Sequence, residues 1–387
     1  MEYLFAKIRK SDLLATIVWS LLSLTVAAAW LATHPGAARP FEWAWGALTL
    51  ALALPAFGRR SRAARIIAVN ASAFAALFLG AEFYCDAPHP ISVDTPKYCP
   101  VDDDELGYRN AKDVRASSAE FFGKEKLYDA VYSLDHNGWR RTPEAPATAP
   151  AVLFFGDSFT FGWGVDDAEA FPAVFESKSR GRYLAVNLSV NGWGPHQMLR
   201  MLQLGKERSA AGSHRPAAAF YFALPIHVER AAGLMIWDQR GPRYEIDGSG
   251  TLRYRGAFHG RLWAKVVDIL SHSNFLSGAW YRLIPRIGGG RRDIDRFVAV
   301  VAESRRLFHE RYGGELYVVM NWPDDLFPMQ RQLCRGAVVC LRTQELGVPD
   351  HRLPGYFISA KDRHPSARWH QALGTALAGL MLARPAP

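Results

Sequence analysis

The apolar positions divide the chain in two. Three long apolar runs crowd the first 85 positions, and beyond them short apolar runs alternate with stretches of helical spacing. The first run, LLATIVWSLLSLTVAAAWLAT from Leu13 to Thr33, carries no charge and is long enough to cross a bilayer as a helix. The second, Phe41 to Phe57, is shorter. The third runs from Ile66 to Cys85. A cleaved signal peptide has a single apolar core and then a small-residue site. Three runs in succession therefore predict a retained anchor of three transmembrane helices over residues 1–85.

Residues 86–149 are rich in Pro, Asp and Tyr and read as a linker or extension with some short strands. From 150 to 387 the pattern changes again. AVLFFGD is a continuous apolar run, as expected of a strand covered on both faces. RYLAVNLSV, AAAFYFAL, ELYVVMNW and AVVCLR supply four more strands. Helical spacing marks about Asp167 to Lys178, the stretch GPHQMLRMLQLGKE with Pro195 in its first turn, about Asp293 to Tyr312, and Ser366 to Ala383. Strands alternating with helices predict an α/β fold with a doubly wound, parallel, five-stranded sheet. An insertion at about 227–290 interrupts it. It holds a hairpin, RYEIDGSGTLRYRG, turning at Asp247 to Gly250, and an aromatic-rich helical part from Trp263 to Tyr281.

Charge adds an orientation. Lys7, Arg9 and Lys10 precede the first run, and Arg59, Arg60, Arg62 and Arg65 separate the second from the third. Only Arg39 lies between the first and second. Basic loops stay in the cytoplasm, so everything after Cys85 is expected outside, which in a bacterium is the periplasm. The chain is then a multi-pass protein of the inner membrane. The net charge of +9 is partly this arginine cluster. The rest is scattered without an aromatic and basic platform, so no nucleic-acid partner is expected. The four cysteines allow two local pairs, Cys85–Cys99 and Cys334–Cys340, in an oxidising compartment. Cys340 reads equally well as a small buried strand residue. No CxxC or histidine cluster predicts a metal, and no motif calls for a cofactor.

The candidate chemistry lies at strand ends, where doubly wound sheets bind ligands. VLFFGDSFTFGWGV places Ser158 directly after the first of these strands. NLSVNGWG ends the second and presents Gly192. The third ends at Leu224-Pro225-Ile226-His227. KDRHPSARWHQALG brings Asp362 and His364 just ahead of the last helix. A serine hydroxyl becomes a useful nucleophile only when a histidine takes its proton. That histidine needs a carboxylate to hold its tautomer. With one residue between them, Asp362 and His364 can meet in a turn. Each position also has a structural reading. Ser158 could cap the following turn, Asp157 could brace the loop, His364 could be a surface turn residue and Asp362 a helix-start signal. Gly192 could be only a turn glycine. His370 is an alternative base set inside a helix, and His196 and Gln197 open a helix near the pocket.

GDSF, NLSVNGWG and DRHP together resemble the first, second and fifth blocks of the SGNH, or GDSL-type, hydrolase superfamily, over about Ala151 to Ala383. The likeness is to membrane-anchored bacterial members with an extra segment before the first block. It implies a flavodoxin-like sheet with Ser158 as nucleophile, His364 as base and Asp362 as its orienting acid. The amides of Ser158 and Gly192 would form the oxyanion hole. The superfamily's third block carries an Asn donor, and this chain reads FALPIHVERAAG there, so either His227 takes part of that role or the hole relies on the amides of Ser158 and Gly192 and His227 only anchors the insertion. The resemblance implies a membrane-anchored periplasmic serine esterase cleaving acyl esters, most simply acetyl esters, of a glycan or small molecule. An O-acyltransferase acting on an envelope polysaccharide, served by a membrane acyl-donor partner, is the first alternative. A non-catalytic envelope binding or assembly protein is the second.

Overall fold

The computed structural model describes residues 62–85, 91–98, 101–143, 145–260, 273–287, 289–321, 330–334 and 338–384. The first two apolar runs, and with them the predicted first and second spans, lie outside the described residues. Cys99 does too, so the Cys85–Cys99 pairing falls beyond the description. The chain forms two compact units, one of residues 1–87 and 268–282, the other of 88–267 and 283–387.

In the first unit the third apolar run forms α1, Arg62–Cys85. Phe78 meets Phe275 edge-on at 5.8 Å, and the buried Glu82 carboxylate accepts from the Ser273 hydroxyl and, at 3.3 Å, from the Phe275 amide. Asn70, Ser72 and Glu82 interrupt the apolar surface of this helix. Among the described residues no helix is long and apolar enough to cross a membrane.

The second unit opens with the residues expected to be a linker or extension with some short strands. They are folded. Strands β1 (Ile91–Thr95), β4 (Arg115–Phe122) and β5 (Glu125–Ser133) make an antiparallel sheet in the order β1-β4-β5, and β2 (Val101–Asp103) pairs with β3 (Gly107–Arg109). Their core is aromatic. Tyr98 and Tyr132 lie 5.2 Å apart, and Tyr132 lies 5.2 Å from Phe161, which follows Ser158 in the chain. The extension therefore builds one wall of the Ser158 loop. Strands β4 and β5 run to 8 and 9 residues, but Tyr98, Tyr132 and Phe161 meet only across the fold, so the composition by itself reads as a linker.

The main sheet consists of β6 (Ala151–Phe155), β7 (Leu184–Asn187), β8 (Pro216–Ala223), β11 (Glu315–Met320) and β12 (Val339–Arg342), all parallel, in the order β12-β11-β8-β6-β7. This is the doubly wound order expected, with its switch point between β6 and β8. All five β6 residues are buried. Successive side chains point to opposite faces, so Leu153 and Phe155 join Phe297, Val301 and Phe308 while Val152 and Phe154 join Phe171, Phe175, Trp369 and Leu373. Helix α2 (Ser158–Phe161) follows β6, α3 (Phe171–Lys178) precedes β7, and α4 (Pro195–Leu204) and α5 (Lys206–Ala211) precede β8. Helix α6 (His227–Ala231) opens the insertion, whose hairpin is β9 (Pro242–Ile246) with β10 (Leu252–Ala257). Helices α7 (Asn274–Ile287), α8 (Arg291–Tyr312), α9 (Gln330–Cys334) and α10 (Ala367–Leu382) complete the set. A disulfide joins Cys334 at the end of α9 to Cys340 in β12, with Cα atoms 5.6 Å apart.

Candidate active site

The chain leaves β6 through Gly156, where a Cβ would collide with the Thr160 hydroxyl, so the strand can turn sharply into α2 only with glycine there. Asp157 caps the turn, its Oδ1 accepting from the Phe159 amide at 3.0 Å. Ser158 follows just beyond the carboxyl end of β6, 9% exposed. Its hydroxyl lies 2.9 Å from His364 Nε2, and His364 Nδ1 lies 2.6 Å from Asp362 Oδ1. With Nδ1–H donating to the carboxylate, Nε2 is left as the acceptor for the serine proton.

The loop carrying the acid and the base is braced from within. Ser359 Oγ accepts from the amides of Lys361 and Asp362, Ile358 N donates to His364 O at 2.9 Å, and Phe357 bridges Pro365. The backbone amide of His364 also donates to Asp362 Oδ1 at 2.9 Å. Burial opposes ionisation of Asp362, yet the hydrogen bond and charge of His364 hold its pKa below the usual carboxylate value. The aromatic rings of Phe159 and Trp163 flank the imidazole at 5.6 and 6.0 Å.

Two amides remain for an oxyanion. Neither Ser158 N–H nor Gly192 N–H donates to another group among the described residues. Gly192 sits in a turn at φ 82°, and a Cβ there would lie 2.6 Å from the Tyr108 hydroxyl and 2.9 Å from Trp237 Nε1. Only glycine fits this backbone. Arg230 fastens the neighbours of both amides. Its Nη1 donates to Asp157 Oδ2 and to the Trp193 carbonyl, each at 2.7 Å. Burial would raise the pKa of Asp157, but the Arg230 charge and the His227 ring bring it well below the ordinary range.

Ser158, Asp362 and His364 thus come together, with Gly192 on the second strand's loop. His227 does not serve as expected. Its ring is fully buried, with Nδ1 accepting from the Tyr221 hydroxyl at 2.6 Å and the Leu224 amide at 3.3 Å, and Nε2 facing Asp157 Oδ2 at 3.3 Å. Both nitrogens are used, so no N–H is free for an oxyanion. Burial above all lowers its pKa to about 4, which keeps the ring neutral. Pro225 does end the strand, but the following turn folds the histidine back under the loop instead of over the rim. His196 and Gln197 are also buried, both tied to Asp238 at 2.7 to 3.0 Å. His370 accepts from the Phe171 amide at 3.2 Å and packs on that ring, and burial lowers its pKa to about 3. It is no alternative base. Arg230 was missed. Its spacing of three from His227 on a short helix places both on one face, which is the signal that could have revealed it.

No family model matches the chain, and no curated protein matches it in sequence. Solved structures similar to it include a member of the lipolytic protein G-D-S-L family from Veillonella parvula, at 10% identity, covering 61% of this chain and 100% of that one with a TM-score of 0.36. A lipase from goat rumen metagenome is similar at 12% identity, covering 60% of this chain and 97% of the other, with a TM-score of 0.34.

Proposed function

We propose that this chain is a serine ester hydrolase of the SGNH type. The observation that carries the reading is the unbroken line from Ser158 through His364 to Asp362, with contacts of 2.9 and 2.6 Å. His364 Nε2 takes the hydroxyl proton as Ser158 Oγ attacks the ester carbonyl. The tetrahedral oxyanion is held by the amides of Ser158 and Gly192. His364 then gives the proton to the leaving alcohol, and an acyl-serine remains. Water, deprotonated by the same histidine, attacks that acyl group, and the carboxylic acid leaves with Ser158 restored.

The substrate class we favour is an acyl ester, most simply acetyl, on a glycan or a small molecule. The catalytic unit is proposed to face the periplasm from an inner-membrane anchor. The uncharged run Leu13 to Thr33, the arginine cluster after the second run, and the Cys334–Cys340 disulfide support that placement. The test is hydrolysis of p-nitrophenyl esters of increasing acyl length by the full chain in detergent. Turnover should be highest for acetate and fall by about three orders of magnitude or more in Ser158→Ala, which stays folded. Near-normal turnover in the alanine variant would remove Ser158 as nucleophile, and a preference for long acyl chains would remove the acetyl assignment.

A further inference from the structure

Asp362 uses only one carboxylate oxygen on its histidine. The other, Oδ2, is buried and meets no hydrogen-bond donor. Facing it is a second carboxyl from a distant part of the chain. Glu120 stands on β4 and is 7% exposed, with its Oε2 likewise buried and without a donor. The strand and the loop are in contact, the Lys361 ammonium lying 4.5 Å from the centre of the Phe122 ring, and each of the two carboxyls acts on the ionisation of the other. Two ionised carboxylates do not sit in such a place. Their repulsion is unscreened, and each leaves an oxygen buried without a partner. One shared proton removes both penalties. Asp362 already accepts from the ring and the backbone amide of His364, which favours its charged form. The proton therefore belongs to Glu120.

We propose that Glu120 is a positioning residue of this site, a neutral carboxylic acid whose O–H donates to Asp362 Oδ2 and fixes the carboxylate that orients His364. The inference rests on the reading of Ser158 as nucleophile. It gives the folded extension a catalytic reason, since β4 supplies this group. Burial first, then the hydrogen bond and charge of Asp362, push the Glu120 pKa up to about 8, while the Trp163 indole opposes the rise. The other groups around Glu120 leave the proton in place. Across the sheet it stands opposite Tyr128 on β5 and Ser92 on β1. Lys126 pairs with Asp129 at 2.8 Å, and the Lys361 ammonium lies 4.5 Å from the centre of the Phe122 ring.

Two substitutions separate the hydrogen bond from the bulk of the side chain. Glu120→Gln keeps an N–H donor for Asp362 and cannot ionise. Glu120→Ala removes the donor. The alanine variant should lose about ten- to a hundredfold in kcat with little change in KM, the loss expected when a buried charge forfeits one hydrogen bond. The glutamine variant should recover most of it. Wild-type kcat should fall as pH rises through about 8, where Glu120 loses its proton, and this alkaline limb should vanish in Glu120→Gln. Thermal unfolding gives a second readout that needs no turnover. A carboxyl with a folded pKa near 8 keeps a proton that the unfolded chain releases near its ordinary value of 4.5. Its contribution to stability is full below about 4.5 and is lost as pH rises to about 8. The Tm difference, wild type minus Glu120→Gln, should therefore decline over that window and flatten above it. Glu176, also pushed up by burial to about 7, is common to both proteins and cancels. A flat Tm difference would overturn the proposal, and so would a glutamine variant as impaired as the alanine one. Absence of ester cleavage in every variant, with the declining Tm difference intact, would instead count against the esterase reading and leave the shared proton standing.

Discussion

Replacing Arg230 with methionine tests how the two edges of the site are joined. The guanidinium is about nine-tenths buried, and through one nitrogen it holds both Asp157 Oδ2 and the Trp193 carbonyl at 2.7 Å. Methionine keeps much of the apolar stem and removes the charge. Asp157 is then a buried carboxylate with only the Phe159 amide and the neutral His227 ring for company. Breaking one side of a buried pair costs roughly 3–5 kcal/mol. The pH dependence identifies the cause. In the wild type the lowered pKa of Asp157 gives stability that is present above its unfolded value near 3.8 and lost as pH falls below it. Without Arg230, burial is less opposed and the Asp157 pKa rises. The His227 pKa also rises, since Arg230 is one of the charges that depress it. Acid therefore relieves the variant, by neutralising the carboxylate or charging the histidine. Urea unfolding of both proteins from pH 7.5 down to 4 should show the deficit largest at neutral pH and shrinking towards pH 4. Arg230→Met combined with Asp157→Asn should recover part of it, because the uncompensated charge is gone. A deficit constant across that range, or no recovery in the double variant, would refute the buried-charge argument and leave lost packing as the cause.

Two further substitutions address the oxyanion hole and its neighbour. Gly192→Ala forces a Cβ against Tyr108 and Trp237 at a positive φ, so the amide must move. Its kcat should fall by about a hundredfold or more with KM little changed, and steady-state kinetics showing normal kcat would exclude that amide from the hole. His227→Ala should instead destabilise the fold by roughly 1–3 kcal/mol, from the buried partners it leaves unpaired, with kcat reduced less than about tenfold. A hundredfold kcat loss at unchanged Tm would return His227 to the oxyanion role.

The main sheet was legible because burial on both faces makes β6 and β8 continuous apolar runs, the first followed by Gly156 and the second, two residues on, by Pro225. The candidate set was legible because Ser158 closely follows a strand end and Asp362 and His364 share a turn, so local spacing already constrained them. What the pattern hid depends on direction or on distant partners. His227 falls at a strand end, as read, but nothing local tells that its ring turns inward to Tyr221 and Asp157. Glu120 looks like any charged residue of a strand until Asp362 is placed near it. The aromatic core of the extension is assembled from Tyr98, Tyr132 and Phe161, which no local periodicity connects.

Whether Ser158 is an activated nucleophile is measured most directly by the reaction of the purified full chain with a fluorophosphonate, read by intact mass and peptide mapping. One adduct per chain is expected, on Ser158, formed far more slowly when His364 is replaced by alanine, because the hydroxyl then has no base 2.9 Å away. An unlabelled wild-type protein, an adduct on another residue, or labelling indifferent to His364 would contradict it.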